Sequence, residues 1–321
     1  MNETLTINIA GLYINIFINE DFKGIKTFLR NFEYTEQEKS DKDVKIHFLR
    51  GDVRKVELSE ILDSLYVTGN NIDDLTDPFN LIGITQAIFR FAAVHLAIRG
   101  IFLIHGSASV LNNRIICFGD DGDSTAKTLS SLEIAVCSKK YIADEFCFFD
   151  SKTGKIFGYP LIPIHIRQIV KKHLSSLHNI SIPKDKYKET DAGYFFTQDK
   201  LFKTMSGDLT NMVYVHFSDD GQILERLSAQ EEYRSFKFCI TSHIAKLICP
   251  NLDRMQFAST TDTSEQKIIN EEVIDDILYK ITNGEGIDPQ IFNQFASHRL
   301  IVSSPCQIAT VLREKIFEEH F

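Results

Sequence analysis

Residues 4–18, TLTINIAGLYINIFI, alternate polar and apolar on either side of Gly11, the period-two signature of two strands joined by a tight turn. VKIHFLR (44–50) and RKVEL (54–58) repeat the alternation, with a turn at Gly51-Asp52 between them. Amphipathic spacing over residues 20–31 predicts a helix between these pairs, followed by a charged loop, TEQEKSDKD. At Asp77 the period changes. Asp77 suits an N-cap and Pro78 the first helical position, and PFNLIGITQAIFRFAAVHLAIRG is apolar almost all round. That pattern predicts a buried helix ended by Gly100. IFLIHGSASVL, an Asn112-Asn113 turn and RIICFG then predict a second hairpin.

The stretch ICFGDDGDSTAKTLSSLEIA (116–135) runs from strand through a glycine- and aspartate-rich loop into a helix, KTLSSLEIAVCS. An apolar run, YIADEFCFFD, follows, then a turn at SKTG and an extended segment, KIFGYPLIPIHIRQIV, limited by Pro160 and Pro163. Residues 180–200 are polar, charged and aromatic and read as a mobile loop or insertion. Beyond them NMVYVHFS reads as a strand, 225–248 as helical, and SEQKIINEEVIDDILYKITNG as an amphipathic helix ending at Gly284. RLIVSS is a strand and PCQIATVLREKIFEEHF a terminal helix. The order gives a small α+β unit over 1–76 ahead of an α/β domain over 77–321, with no internal repeat.

Composition narrows the class. The 321 residues are 43% hydrophobic and 25% charged, enough to bury a sizeable core. A formal net charge of −9 argues against nucleic acid as the main partner. Cys117, Cys137, Cys147, Cys239, Cys249 and Cys306 lack CxxC spacing and mostly sit in apolar stretches, as buried small hydrophobes do. The 25 Phe residues read as core filler. No basic-then-apolar signal opens the chain, and Arg90, His95 and Arg99 interrupt its longest apolar stretch, against a membrane span. These readings predict a cytoplasmic protein of a reducing compartment.

The candidate chemistry lies within about 45 residues. A phosphate-binding loop needs a strand, a glycine-bounded turn and a Lys-Ser/Thr that opens a helix. Gly119, Gly122 and Lys127-Thr128 supply these parts, although the loop is longer than the usual spacing and Ala126 stands where its last glycine belongs. Backbone N–H groups from Gly119 and Gly122 through Asp123, Ser124, Thr125 and Ala126 would cradle phosphate. Lys127 would reach the terminal phosphates and Thr128 would join Mg²⁺. Asp144 or Glu145, ending the next apolar strand, would supply hard oxygen ligands. Asp120, Asp121 and Asp123 would repel triphosphate unless they turn away or engage a metal. His105 ends the strand before, with a buried, hydrogen-bonded histidine as the alternative to a functional one. Ser107 and Ser109 lack a GxSxG elbow.

The block LIHGSASVLNNRIICFGDDGDSTAKTLSSLEIAVCSKKYIADEFCFFD resembles the catalytic core of HPr kinase/phosphorylase, in the phosphoenolpyruvate-carboxykinase-like branch of P-loop folds. His105-Gly106 matches the family's His-Gly, Lys127-Thr128 its Lys-Ser, and Glu133 the second Glu of its E-T-A-L-E-L helix. The sixteen-residue interval from Thr128 to Asp144 is the family's, with Asp144-Glu145 in place of Asp-Asp. Arg167, in IHIR, matches the family's E-I-R-G in part, and His165 does not match its Glu. The resemblance covers residues 85–167.

It implies a mixed-sheet P-loop core of α/β class with α+β character, carrying an ATP- and Mg²⁺-dependent kinase. The acceptor would be a hydroxyl, of Ser or Thr in a peptide or protein, with peptide modification as one setting. Lys127, Asp144 and His105 would be the catalytic residues, and Thr128, Asp144 and Glu145 the metal ligands. Glu133 and Arg167 would be substrate or phosphate contacts. A kinase of a small-molecule hydroxyl, such as a free amino acid, and a non-catalytic nucleotide sensor are the alternatives. Oligomeric state is left open.

Overall fold

The computed structural model describes residues 3–30, 44–53, 55–122, 127–159, 164–167, 187–190, 193–196, 203–204, 206–219, 222–248, 271–304 and 307–317. It divides into two compact units, one of residues 1–99 with 242–284, the other of 100–241 with 285–321. The α+β unit expected over 1–76 lies within the first. TEQEKSDKD, Pro160, Pro163, Cys249 and Cys306 lie outside the described residues.

In the first unit β1 (Glu3–Ile9) and β2 (Leu12–Ile18) form the expected hairpin, with Ala10 and Gly11 both at positive φ, as a twisted two-residue turn requires. Helix α1 (Lys23–Arg30) crosses over to β3 (Val44–Leu49), parallel to β2. The second expected hairpin is not formed. β4 (Lys55–Leu58) pairs with β5 (Ser64–Thr68), a strand the alternation did not announce, and β5 lies parallel to β3. The result is a mixed sheet, β1-β2-β3-β5-β4. Alternation makes one of its faces apolar: Ile14, Ile16, Ile18, Ile46, Phe48 and Val67 are buried, together with Ile25 and Leu29 of α1. The opposite face carries a stacked ladder of Phe17, His47 and Tyr66.

Asp77 caps α2 (Pro78–Leu96) by accepting from Phe79 N. This helix is long and apolar enough to cross a membrane, but 72% of that window is buried within the protein, as in a core helix. Buried Arg90 is held by Gln86 Oε1 and His243 Nδ1, each 3.1 Å from its Nη2.

The second unit is built on β6 (Ile101–Leu111), an eleven-residue strand shared between neighbours. Its second half pairs antiparallel with β7 (Arg114–Gly119) through the Asn112-Asn113 turn, both residues at positive φ. From β7 the chain passes into α3 (Lys127–Ser138), then β8 (Lys140–Ala143), β9 (Phe146–Asp150) and β10 (Lys155–Gly158). Thus YIADEFCFFD is two strands, broken at Asp144-Glu145. β11 (Ile164–Arg167), β12 (Tyr187–Thr190) and β13 (Gly193–Phe196) form a small antiparallel sheet, so the described part of 180–200 is strand and not loop.

The chain then gives β14 (Lys203–Thr204), β15 (Gly207–Phe217), β16 (Ile223–Arg226), α4 (Ala229–Ile248) and, in the first unit, α5 (Glu271–Ile281). β17 (Ala296–Val302) and α6 (Ile308–Phe317) complete it. β7, β15 and β17 are mutually parallel, and β8, antiparallel to β6, runs in the same direction. Their carboxyl ends therefore lie along one edge of a mixed sheet, where open α/β sheets bind ligands.

The central strands of that sheet, β6 to β9, are buried on both faces, so they are apolar runs instead of alternating ones. Ile116, Phe118, Val213, Val215, Leu300 and Val302 pack with Ile134 of α3 and Ile308, Val311 and Leu312 of α6. On the other face Phe236 of α4 meets Phe102, Phe149, Phe292 and Phe295 edge-on or tilted. Each fully buried Phe contributes roughly 1.5–3 kcal/mol, which gives the many phenylalanines their role.

Candidate functional site

The site forms where β7 ends and α3 begins. Gly119 closes β7 in a crowded place: a Cβ there would stand 2.8 Å from both Met212 Cε and Tyr214 Cε1. Gly122 is needed for a different reason, its φ of +98°. Between them the chain turns on Asp120, whose Oδ1 accepts from Gly122 N at 3.0 Å. Asp120 N in turn lies 3.4 Å from the buried Cys239 thiol of α4, which donates to His105 O at 3.2 Å. The expected phosphate-loop residues Asp123, Ser124, Thr125 and Ala126 lie outside the described residues.

Lys127 and Thr128 open α3 as the sequence predicted. Lys127 Nζ donates to Asp120 Oδ2 at 3.0 Å, and His105 Nδ1 lies 2.8 Å from the same oxygen. Burial, and then the Lys127 charge, push the His105 imidazole below its ordinary value, so it is neutral at pH 7. An ionised carboxylate only accepts, so its place 2.8 Å from Nδ1 favours the tautomer with the proton on Nδ1. Burial alone would raise Asp120. The His105 hydrogen bond, the neighbouring positive charge and the Gly122 N–H outweigh it and hold the carboxyl well below the usual carboxylate range.

Asp121, the next residue, turns to a different partner, His216 Nε2 of β15, at 3.1 Å. Both described loop aspartates are therefore engaged by cationic or N–H groups. The expected repulsion toward an anion is offset within the fold.

Thr128 Oγ1 donates to Asp144 Oδ1 at 2.8 Å, which joins the start of α3 to the end of β8. Asp144 is buried, and burial with the adjacent Glu145 charge raises its carboxyl to about 7. Glu145 sits at φ +60°, a sparsely allowed conformation for a residue with a Cβ. Its turn is closed by Phe146 N donating to Asp144 O at 2.6 Å, and Gly106 N donates to Glu145 O at 3.1 Å. The strained turn aims Glu145 Oε1 to within 3.9 Å of His105 Nε2. Ser107, Oγ buried, shares a 2.8 Å hydrogen bond with Tyr141 Oη, lies 3.3 Å from Ala143 O and also bonds the Asp144 carboxyl.

The predicted residues His105, Gly119, Gly122, Lys127, Thr128, Asp144 and Glu145 are thus brought together. Glu133 is not: its carboxyl accepts from Ala309 N of α6 and feels Arg313. Arg167 lies on β11, opposite Gly193, with its side chain outside the described residues. Asp120's bond to Lys127 and the Asp121–His216 pair are additions. The second spans 95 residues and leaves no trace in local sequence.

Burial raises Glu133 from its ordinary 4.5 to about 8. A folded-state pKa above the unfolded one means that stability is greatest in acid and is lost as pH rises through 8. Glu133→Gln removes that dependence. In paired melting curves from pH 5 to 9, the variant's advantage over wild type is expected to grow up to pH 8 and then level off. At about 1.4 kcal/mol per unit it reaches a few kcal/mol. An advantage independent of pH would show that Glu133 does not titrate there.

Chemically, the arrangement offers an ammonium at a helix start, a hydroxyl–carboxylate pair of hard oxygens and a second carboxylate beside a neutral imidazole. Thr128, Asp144 and Glu145 offer hard oxygens, the donor type that a Mg²⁺-like cation takes. No protein-family model and no curated protein matches the chain.

Proposed function

We propose that the chain is an ATP- and Mg²⁺-dependent phosphotransferase acting on an alcohol group, related to HPr kinase and built on a phosphoenolpyruvate-carboxykinase-like P-loop core. The observation that carries this reading is the Thr128–Asp144 hydrogen bond. It unites the loop-helix start with the acidic strand end at the sheet edge, the two parts that phosphoryl transfer needs adjacent.

In this reading Lys127 brings positive charge to the donor's terminal phosphates, and N–H groups from Gly119 to Thr128 position them. Bound Mg²⁺, held by Thr128, Asp144 and Glu145, would neutralise charge on the phosphate oxygens. The γ-phosphoryl group passes from ADP oxygen to the acceptor oxygen, and the hydroxyl proton goes to a carboxylate of the acidic pair. His105 orients that pair from its place beside Glu145. The acceptor is Ser or Thr of a peptide or protein, or a small-molecule hydroxyl, and the setting is cytoplasmic.

One observation favours a second reading, a nucleotide sensor without turnover: Lys127 is already engaged by Asp120. The test is a melting curve with and without MgATP, followed by ADP release against a panel of peptide and small-molecule hydroxyls. A melting shift with ADP release supports the kinase. A shift with no release across the panel selects the sensor, and no shift rejects both.

A further inference from the structure

We infer that Asp120 is a built-in anion, which holds Lys127 in the unliganded protein and surrenders it to an incoming phosphate. Its Oδ2 takes Lys127 Nζ at 3.0 Å and His105 Nδ1 at 2.8 Å, while Oδ1 takes Gly122 N at 3.0 Å. An ammonium, a ring N–H and a loop N–H converging on one carboxylate form the donor set a phosphate group would use. The pair is largely sheltered, with Lys127 19% and Asp120 15% exposed, so solvent does little to loosen it. When Lys127 leaves, Asp120 keeps the Gly122 N–H and its close contact with His105 Nδ1, and so survives the exchange without being stranded. The exchange rests on the phosphotransferase reading; the Asp120–Lys127 contact does not.

The contact has two consequences. It gives the Lys127 ammonium a sheltered partner in the absence of ligand, which spares the fold an uncompensated charge. It also makes the carboxylate a competitor, because only the fraction of molecules with Lys127 released is ready to bind. Removing the negative charge should therefore tighten binding, the reverse of what loss of a binding residue does.

Two measurements on the full chain separate the parts. Asp120→Asn keeps an acceptor for Gly122 N and cancels the charge; Asp120→Ser, with a shorter acceptor, serves if the first variant does not fold. Without nucleotide, acetic anhydride labelling mapped by mass spectrometry should modify Lys127 several-fold faster in the variant, relative to other lysines. Calorimetric titration with MgATP should then show affinity raised by about tenfold. Unchanged labelling overturns the contact. Faster labelling with equal or weaker MgATP binding overturns the exchange. Faster labelling when neither protein binds MgATP upholds the contact and rejects the phosphotransferase reading instead.

Discussion

Replacing Lys127 with alanine is expected to remove most of the rise in melting temperature that MgATP gives the wild type. Lys127 opens α3 and supplies the ammonium that meets Asp120. A ligand at a hundred times its Kd stabilises a protein by about 2.7 kcal/mol, so a hundredfold loss of affinity removes most of that. The unliganded variant also loses the partner of a mostly buried carboxylate and melts lower for that reason alone. The readout is the difference with and without MgATP, which cancels this loss.

The sign of the companion variant strengthens the test. Lys127→Ala and Asp120→Asn disrupt the same 3.0 Å contact, yet one should weaken MgATP binding and the other tighten it. General damage to the loop would weaken both. An equal MgATP shift in wild type and Lys127→Ala would show that the nucleotide, if bound, lies elsewhere.

Local rules made parts of both units legible. Asn112-Asn113 tolerates positive φ, and Asp77 before Pro78 is a cap with a stereochemical reason. Helix 127–138 was readable because its Lys-Thr start and polar end bracket an apolar stripe. Pairing was less legible. Alternation marked β3 and β4 as strands without saying that β5 would lie between them, since period two fixes a face and not a neighbour.

The strand end at Asp144-Glu145 was legible from the polar pair inside an apolar run, but nothing local announces φ +60° at Glu145 or a new strand resuming at Phe146. Within the site, spacing placed Lys127, Thr128 and Asp144 together. It left open whether Asp120 and Asp121 repel an anion, turn away or engage a metal, because their partners, His105 and Lys127 for the one and His216 of β15 for the other, are not read from local spacing. Glu133 matched in register, but six residues along a helix from Lys127 it meets α6 and not the loop.

Asp144→Asn is expected to lower turnover by on the order of a thousandfold while MgATP still binds measurably, the loss typical of a missing acid–base or metal-coordinating group. The carboxamide keeps the shape and its oxygen still accepts from Thr128 Oγ1, so α3 and β8 stay joined. What disappears is the charge that would hold a hard cation and the basicity that would take a hydroxyl proton. Stability should move the other way. Burial and the Glu145 charge raise the Asp144 carboxyl to about 7, so at pH 8 the unliganded wild type carries an ionised group its surroundings disfavour. The variant carries none and should melt above wild type at that pH, as sites built for chemistry at the expense of stability do. ADP release and unliganded melting at pH 8, measured on the same preparation, read the two effects together. Turnover within tenfold of wild type would remove Asp144 from the chemistry, and a drop in both would make it a residue of the fold.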